Sequence, residues 1–581
     1  MKYIFNNIEG DLKDAIFNNV LDTKGLWLPK NIPLIDDDFL ESCSNYSFID
    51  ISKYILKKYI PNYIIPENDL ENIIEETYNF EPHIHDLNEN ISILELFHGP
   101  TLSFKDYGVN FMSNLYNYLL KENVNVINAT SGDTGSAVAN AFYNKKNIKV
   151  FVLYPKDKIS LLQEKQIATL GKNVFPIEID GSFDDCQFLV KKVLNQSIDA
   201  KNKFISANSI NIARLLPQIT YYFYTYAKIQ TKKKLVVCVP SGNLGNLTAG
   251  LLAKKMGLPI DKFICALNSN NTFYNYLNTG SYLPQKSVKT ISNAMDIGDP
   301  SNFLRINKLF SFDELSKILK SYYIDDKTTI QNIENIFKEY NYTLDPHTSV
   351  GYCALKNYIN ENSDKDNKYI LLSTAHPIKF EKEIKDNVSK PVNINKPKNV
   401  NIDILMNKKS IKFVVKNNIN SLNIYMESII NLKGNIILIG MPYSGKTTVG
   451  KQLALEKNKK FIDTDILIEK KYNKPLIEIL NQFGNEDFLN IEEDIIKSIK
   501  GDNLIISTGG SVIYRENAMN YLNTMYGNIT YLEISFDTFK KRCYNFSQRG
   551  VVLKNNQSLR DLYDERIPLY QKYKDIIINN N

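Results

Sequence analysis

The sequence is sparing with cysteine, with charge of one sign and with long apolar runs, and each shortage removes a class of protein. Cys43, Cys186, Cys238, Cys265, Cys353 and Cys543 are the only cysteines in 581 residues. They form no Cys-x-x-Cys pair and keep no regular spacing, so they outline neither a disulfide framework nor a thiolate zinc site, and a reducing cytoplasm is the expected setting. No uncharged apolar run reaches the roughly 20 residues of a spanning helix. Glu9 and Asp11 interrupt the N-terminus before a signal-peptide core can form. Neither membrane anchoring nor export is expected. Seventy Lys+Arg against 64 Asp+Glu leave a net charge of +6, too thin over this length to make a nucleic-acid-binding stripe. Of the five histidines, His83 and His85 lack nearby thiols or further histidines in sequence, and they read as a surface or packing pair rather than a metal site.

What is present describes a globular chain of several domains. Hydrophobic residues make up 43% and charged residues 23%, the balance of a protein that can bury cores, and a norm of about 150 residues per domain gives roughly four packing units. Apolar strand-like runs at Val150–Leu153, Leu235–Val239 and Ile370–Leu372 alternate with helix-length amphipathic stretches. That is the βαβ rhythm of mostly parallel sheets, hence an α/β fold. No internal repeat is visible. Asn- and Lys-rich stretches such as 393–401 carry little information, since both residues are abundant throughout. Gly434 to Gly440 reads as a buried strand opening a fresh α/β unit, so a second domain is expected to start near residue 432.

In the first domain His98-Gly99-Pro100-Thr101-Leu102-Ser103-Phe104-Lys105 sets a lysine behind a Gly-Pro turn at the start of a helix. Thr130 to Gly135 places glycines and hydroxyls between a strand and a small-residue helix, a loop that can seat an anion or a flat ring on backbone N–H groups. Ser241-Gly242-Asn243-Leu244-Gly245-Asn246 forms a second such loop ahead of a helix, whose positive end suits a phosphate. Two loops, a lysine and Ser373-Thr374-Ala375-His376-Pro377 together fit a phosphate-bearing aldehyde cofactor, which needs an amine, a phosphate anchor and a partner for its pyridine nitrogen.

On these segments, joined in order by Ser206–Asn211, Ser292–Asp296, Asp345–Thr348 and Thr374–Phe380, residues 1–430 resemble threonine synthase, a pyridoxal-phosphate enzyme of the tryptophan-synthase-β fold type (fold type II). The resemblance implies that Lys105 bonds the cofactor aldehyde and serves as general base. It further implies that Gly242, Asn243, Leu244, Gly245 and Asn246 cup the phosphate, that Thr374 meets the pyridine nitrogen and that Asp133 lies in the ring-contact loop. The implied reaction converts O-phospho-L-homoserine and water into L-threonine and phosphate. Arg214 and Arg305 fall in matching segments, and each reads equally as a substrate-phosphate ligand or as a structural ion pair.

The second domain carries Gly440-Met441-Pro442-Tyr443-Ser444-Gly445-Lys446-Thr447-Thr448, the G-x-x-x-x-G-K-[ST] pattern directly after a strand and before a helix. Its backbone amides, from Gly440 through Ser444 and Gly445, are expected to surround the ATP β-phosphate. Lys446 is expected to reach the β- and γ-oxygens, with Thr447 on Mg²⁺ and Thr448 beside it. Asp463-Thr464-Asp465 follows the next strand, a pattern that also suits a helix cap. With Ser507–Ser511 downstream, residues 433–581 resemble shikimate kinase, implying a P-loop, nucleotide-monophosphate-kinase-like parallel αβα domain. By that resemblance Asp463 lies on the Mg²⁺ side and Asp465 orients or deprotonates the acceptor hydroxyl. Gly509 and Gly510 admit the acceptor, Arg542 and Arg549 serve the adenine side and the lid, and Arg566 holds the acceptor carboxylate.

One position departs. Where the family has an arginine directly after the phenylalanine of Phe488-Leu489-Asn490-Ile491-Glu492, this chain has Leu489, which cannot make a bidentate carboxylate contact. Two acceptors are therefore weighed. Shikimate follows from the family and Arg566. Homoserine follows from Leu489 and from the fusion, because its phosphorylation makes the first domain's substrate; it also carries an ammonium group that Asp465 or Glu492 can pair. Homoserine is favoured modestly. A third reading, in which one half is a non-catalytic nucleotide- or cofactor-binding regulator, is opposed by the retained Lys105 and Lys446.

Overall fold

Alternation of buried apolar strands with capped helices runs the length of the chain. The computed structural model describes residues 1–18, 25–120, 122–196, 203–362, 366–431, 434–543, 550–554 and 557–580. It divides into two compact units, Met1–Thr169 with Val174–Asn423, and Ile424–Asn581 with Leu170–Asn173. Residues 432 and 433, where the second domain was expected to open, lie outside the described residues. Among the described residues no helix is long and apolar enough to cross a membrane, and all six cysteines are buried free thiols.

The first unit holds two sheets that frame its site. One orders Leu319–Tyr323, Ile260–Leu267, Lys234–Pro240, Asn367–Ser373, Ile91–Glu95 and His83–Asp86. All its pairings are parallel except that of the edge strand His83–Asp86. The other orders Phe413–Val415, Val174–Ile179, Ile148–Pro155, Val124–Ala129 and Phe204–Ser206, all parallel. Central strands such as Val124–Ala129 are buried at every residue, which explains why they read as continuous apolar runs rather than alternating ones. A small antiparallel sheet of Tyr3–Phe5, Ile8–Gly10 and Leu28–Pro29 stands apart from both.

In the second unit five parallel strands run in the order Lys460–Asp463, Leu504–Ser507, Asn435–Ile439, Gly527–Glu533, Ile576–Asn579. Helices Lys446–Glu456, Thr464–Tyr472 and Leu476–Ser498 connect them. Ile437, Leu438 and Ile439 are fully buried, so the central strand delivers the glycine loop at Gly440 to its carboxyl end, where open α/β sheets bind ligands.

Candidate active sites

In the first unit Lys105 opens the helix Lys105–Leu119, and Asp133 opens the helix Asp133–Ala141 after Gly132, whose φ of 135° requires glycine. The two side chains meet, Lys105 Nζ lying 3.3 Å from Asp133 Oδ2. Lys379 Nζ, wholly buried, comes within 2.9 Å of Asp133 Oδ1 and donates to Thr101 O at 2.7 Å. Gln163 completes the carboxylate's shell. It closes the capping box of the helix Leu161–Ala168 with Ser160 and donates from Nε2 to Asp133 Oδ1 at 2.9 Å. Burial alone pushes the Asp133 carboxyl up, but Lys379 and Lys105 outweigh it and hold it well below the carboxylate range. Burial pulls the Lys105 amine below its ordinary value; Asp133 opposes that shift, while Lys379 and Arg214 add to it.

One cavity is lined by Lys105, Thr130, Asp133, Gly242, Asn243, Leu244, Gly245, Asn246 and Thr374, together with Arg214 and His347. Every cofactor-site residue expected from the sequence thus faces one space. Gly242 cannot be larger, because a Cβ there would come within 2.8 Å of Ala294 O and Met295 Cα. Leu244 takes a left-handed φ of 58° to start the helix Gly245–Lys255, whose first-turn amides have no intrahelical acceptors. Two donors on this cavity, Arg214 Nε and Asn246 Nδ2, are buried without a protein partner. Buried donors of this kind suit an anionic group such as a cofactor phosphate, so the residues present fit pyridoxal phosphate.

Thr374 reaches this space because its carbonyl accepts from Phe104 N at 2.9 Å, tying the strand end to the lysine's turn. His347 is oriented by Asp345, which caps the helix Pro346–Glu361 and lies 2.8 Å from His347 Nδ1. The two arginines separate. Arg214 lines the cavity, whereas Arg305 is spent on the carbonyls of Trp27, Ser209 and Ile210 and on Asn302, so its buried charge is met by dipoles rather than by an ion pair. Lys379, Gln163 and His347 were not picked out as site residues from the sequence. Lys379 and His347 lie inside segments that carried the resemblance, but nothing local marks either as buried. His83 lies 3.4 Å from Glu95, which also bonds His98 at 2.9 Å and Tyr342 at 2.6 Å, while His85 stacks on the Tyr342 ring.

In the second unit Gly440, Tyr443 and Gly445 all have positive φ, the curl that turns backbone amides inward. Lys446 Nζ crosses this loop to the carbonyls of Gly440 and Met441, each at 2.8 Å. Thr447 Oγ1 donates to Asp463 Oδ2 at 2.8 Å. Asp463 also caps the helix Thr464–Tyr472, accepting from Asp465 N at 3.0 Å. The helix-cap reading of Asp-Thr-Asp holds, and the Thr447 hydroxyl and Asp463 carboxylate stand together as oxygen donors of the kind that suit Mg²⁺.

A cavity of about 570 Å³ is lined by Gly445, Lys446, Thr447, Thr448, Asp465, Gly509, Gly510, Arg542 and Arg566, a size ordinary for a small-molecule site. Ser444 lies beneath the loop, its amide donating to Met441 O and its carbonyl accepting from Asn580 at 2.7 Å. Arg549 lies outside the described residues. Arg566 is wholly buried. Its Nε donates to Tyr514 Oη at 3.1 Å and its Nη2 to Val552 O at 2.8 Å, while Nη1 has no partner. Leu489 is buried in an apolar cluster with Phe488, Ile468 and Ile479.

Comparison with known proteins agrees with both halves. Family models match for threonine synthase N terminus over residues 6–78, pyridoxal-phosphate dependent enzyme over 80–374, threonine synthase C-terminal over 348–423 and shikimate kinase over 442–581. The threonine synthase of Buchnera aphidicola subsp. Acyrthosiphon pisum is 45% identical over 379 residues, covering 63% of this chain and 87% of that protein. That of Escherichia coli K12 is 40% identical over 385 residues, covering 65% and 88%. The crystal structure of threonine synthase from Escherichia coli superposes with a TM-score of 0.68 at 36% identity, over 74% of this chain and 100% of that one. A PLP-bound threonine synthase from Brucella melitensis gives 0.67 at 29% identity, over 74% and 99%. The chain belongs to the threonine synthase family and carries a shikimate kinase domain after its synthase region.

Proposed function

We propose that the chain is a bifunctional biosynthetic enzyme in which residues 1–430 convert O-phospho-L-homoserine and water to L-threonine and phosphate, and residues 433–581 transfer the ATP γ-phosphate to a small-molecule hydroxyl, with homoserine favoured. The observation that carries the first half is the convergence of Lys105, Asp133, the Gly242–Asn246 loop and Thr374 on one cavity. Lys105 would hold pyridoxal phosphate by its aldehyde, the 242–246 amides its phosphate and Thr374 its ring nitrogen. When bound, the cofactor supplies an electron sink for the carbanion left by Cα–H loss. Lys105 takes and returns that proton: burial and its cationic neighbours lower its basicity, and Asp133 keeps the amine aimed.

For the second half, the Thr447–Asp463 pair and Lys446 would hold Mg²⁺·ATP, while Asp465 accepts the acceptor's hydroxyl proton. Gly509 and Gly510 leave room for the acceptor, and Arg566, with Nη1 unsatisfied, takes its carboxylate. Homoserine is supported by Leu489, which removes the second carboxylate-binding arginine of the shikimate kinase pattern, and by a product that is the substrate of the other half. The Arg566 pocket equally favours a second reading, a true shikimate kinase. Phosphate release from O-phospho-L-homoserine, with Lys105→Ala as control, tests the synthase. Comparing kcat/KM for L-homoserine and shikimate tests the kinase. Synthase activity surviving in Lys105→Ala contradicts the first half, and a much higher kcat/KM for shikimate contradicts the acceptor.

A further inference from the structure

A group of charges stands at the kinase cavity, Asp465 and Arg566 lining it and Glu492 buried beside Gly509. Replacing Gly510 by a residue with Cβ would bring that atom 3.1 Å from Arg566 Nη1, and a Cβ on the adjacent Gly509 would fall 2.1 Å from Glu492 Oε1 and 2.9 Å from Asp465 Oδ1. Two carboxylates therefore converge over Gly509, one residue along from an unpartnered guanidinium N–H. Glu492 is buried, fixed through Oε2 by Ser511 Oγ at 2.9 Å, and the helical position three residues before it, on the same face, holds Leu489, which offers it no cation. Burial, reinforced by the Asp465 charge, raises the Glu492 carboxyl to about 7. Arg566 and Lys446 oppose that rise without cancelling it, so a ligand's positive charge beside the two carboxylates would complete their compensation.

We infer that Glu492 is the specificity-determining residue of an α-ammonium subsite, so that the acceptor is a small hydroxy-α-amino acid with its carboxylate on Arg566, its ammonium on Glu492 and its hydroxyl on Asp465. The cation stands at Gly510 and both carboxylates at the adjacent Gly509, so one small molecule can present its carboxylate to the first and its ammonium and hydroxyl to the second. Carboxylate and ammonium share one carbon, and the hydroxyl stands at the far end, beside Asp465 on the helix that Asp463 caps. This rests on the kinase reading above, but it fails separately from it.

The test pairs L-homoserine with 4-hydroxybutanoate, the same molecule without the ammonium, using the full-length protein with ATP and Mg²⁺. The wild type is expected to use L-homoserine at least about 100-fold better in kcat/KM, since a site built for a buried ionic contact rejects the analogue that leaves it unpaired. In Glu492→Gln the KM for L-homoserine is expected to rise about 100-fold with kcat within a few-fold, because the ammonium does not change in the chemical step; 4-hydroxybutanoate turnover should hold or improve. Nucleotide affinity and melting temperature report whether the variant is folded, and the wild-type comparison of the two acceptors needs no variant. Equal use of both acceptors by the wild type, or undiminished discrimination in Glu492→Gln, overturns the subsite while leaving a homoserine kinase standing. Turnover of shikimate with neither linear acceptor overturns the homoserine acceptor and the subsite together.

Discussion

Asp133 shows how much of a site can hang on one side chain. It stands between two buried ammonium groups, Lys105 and Lys379, and Lys379 lowers the basicity of Lys105 while the carboxylate opposes that. Removing Lys379 takes a like charge away and leaves more of Asp133 to Lys105, so the Lys105 pKa must rise. Lys379→Gln is therefore expected to move the amine-dependent limb of the pH profile of threonine formation to higher pH; an unmoved profile contradicts the coupling. Lys105→Ala is expected to lose threonine formation by orders of magnitude together with the visible absorbance of bound pyridoxal phosphate. Glu492, facing Asp465, Arg566, Lys446 and Ser511 and raised to about 7, must be ionised to pair an ammonium. The KM for homoserine should accordingly fall as pH rises through about 7, with no such trend for 4-hydroxybutanoate. Lys105 and Lys446 were legible because they sit at fixed offsets from glycine turns. Lys379 was not, because its partner is 246 positions away and only the fold buries them together.

The two sites use the same element, a buried parallel strand ending in a glycine loop that feeds a helix, and glycine is required at few of its positions. Gly440 has a φ of 152° and a Cβ there would meet Leu532 O at 2.7 Å. Gly509 keeps open the point where two carboxylates converge. Gly509→Ala is expected to raise the acceptor KM at least tenfold while nucleotide affinity stays within a few-fold, since the P-loop side is untouched; equal loss of both would place Gly509 in the nucleotide site instead. The strands behind these loops were readable as apolar runs because both their faces are covered. Edge strands were not: Phe413–Val415 and Ile576–Asn579 are three- and four-residue segments in Asn- and Lys-rich sequence, and their pairing depends on a neighbour rather than on their own pattern. The break at Gly484, where φ is 77° inside the stretch Leu476–Ser498, was likewise invisible, since a lone glycine in a helical pattern is usually tolerated.

At the scale of the whole molecule the chain joins a threonine synthase region to a shikimate kinase domain, and the proposed coupling of their reactions is what gives Leu489 meaning. Lys446→Ala is expected to cut phosphoryl transfer by orders of magnitude while threonine formation from supplied O-phospho-L-homoserine persists; a collapse of both activities would mean that the two units cannot work separately. The most direct measurement supplies the intact protein, loaded with pyridoxal phosphate, with L-homoserine, ATP and Mg²⁺ and no other enzyme, and follows threonine by amino-acid analysis. The account predicts threonine and phosphate accumulating together, with Lys105→Ala stopping at O-phospho-L-homoserine and Lys446→Ala making neither. Rapid phosphorylation of shikimate with no threonine formed from homoserine would contradict it.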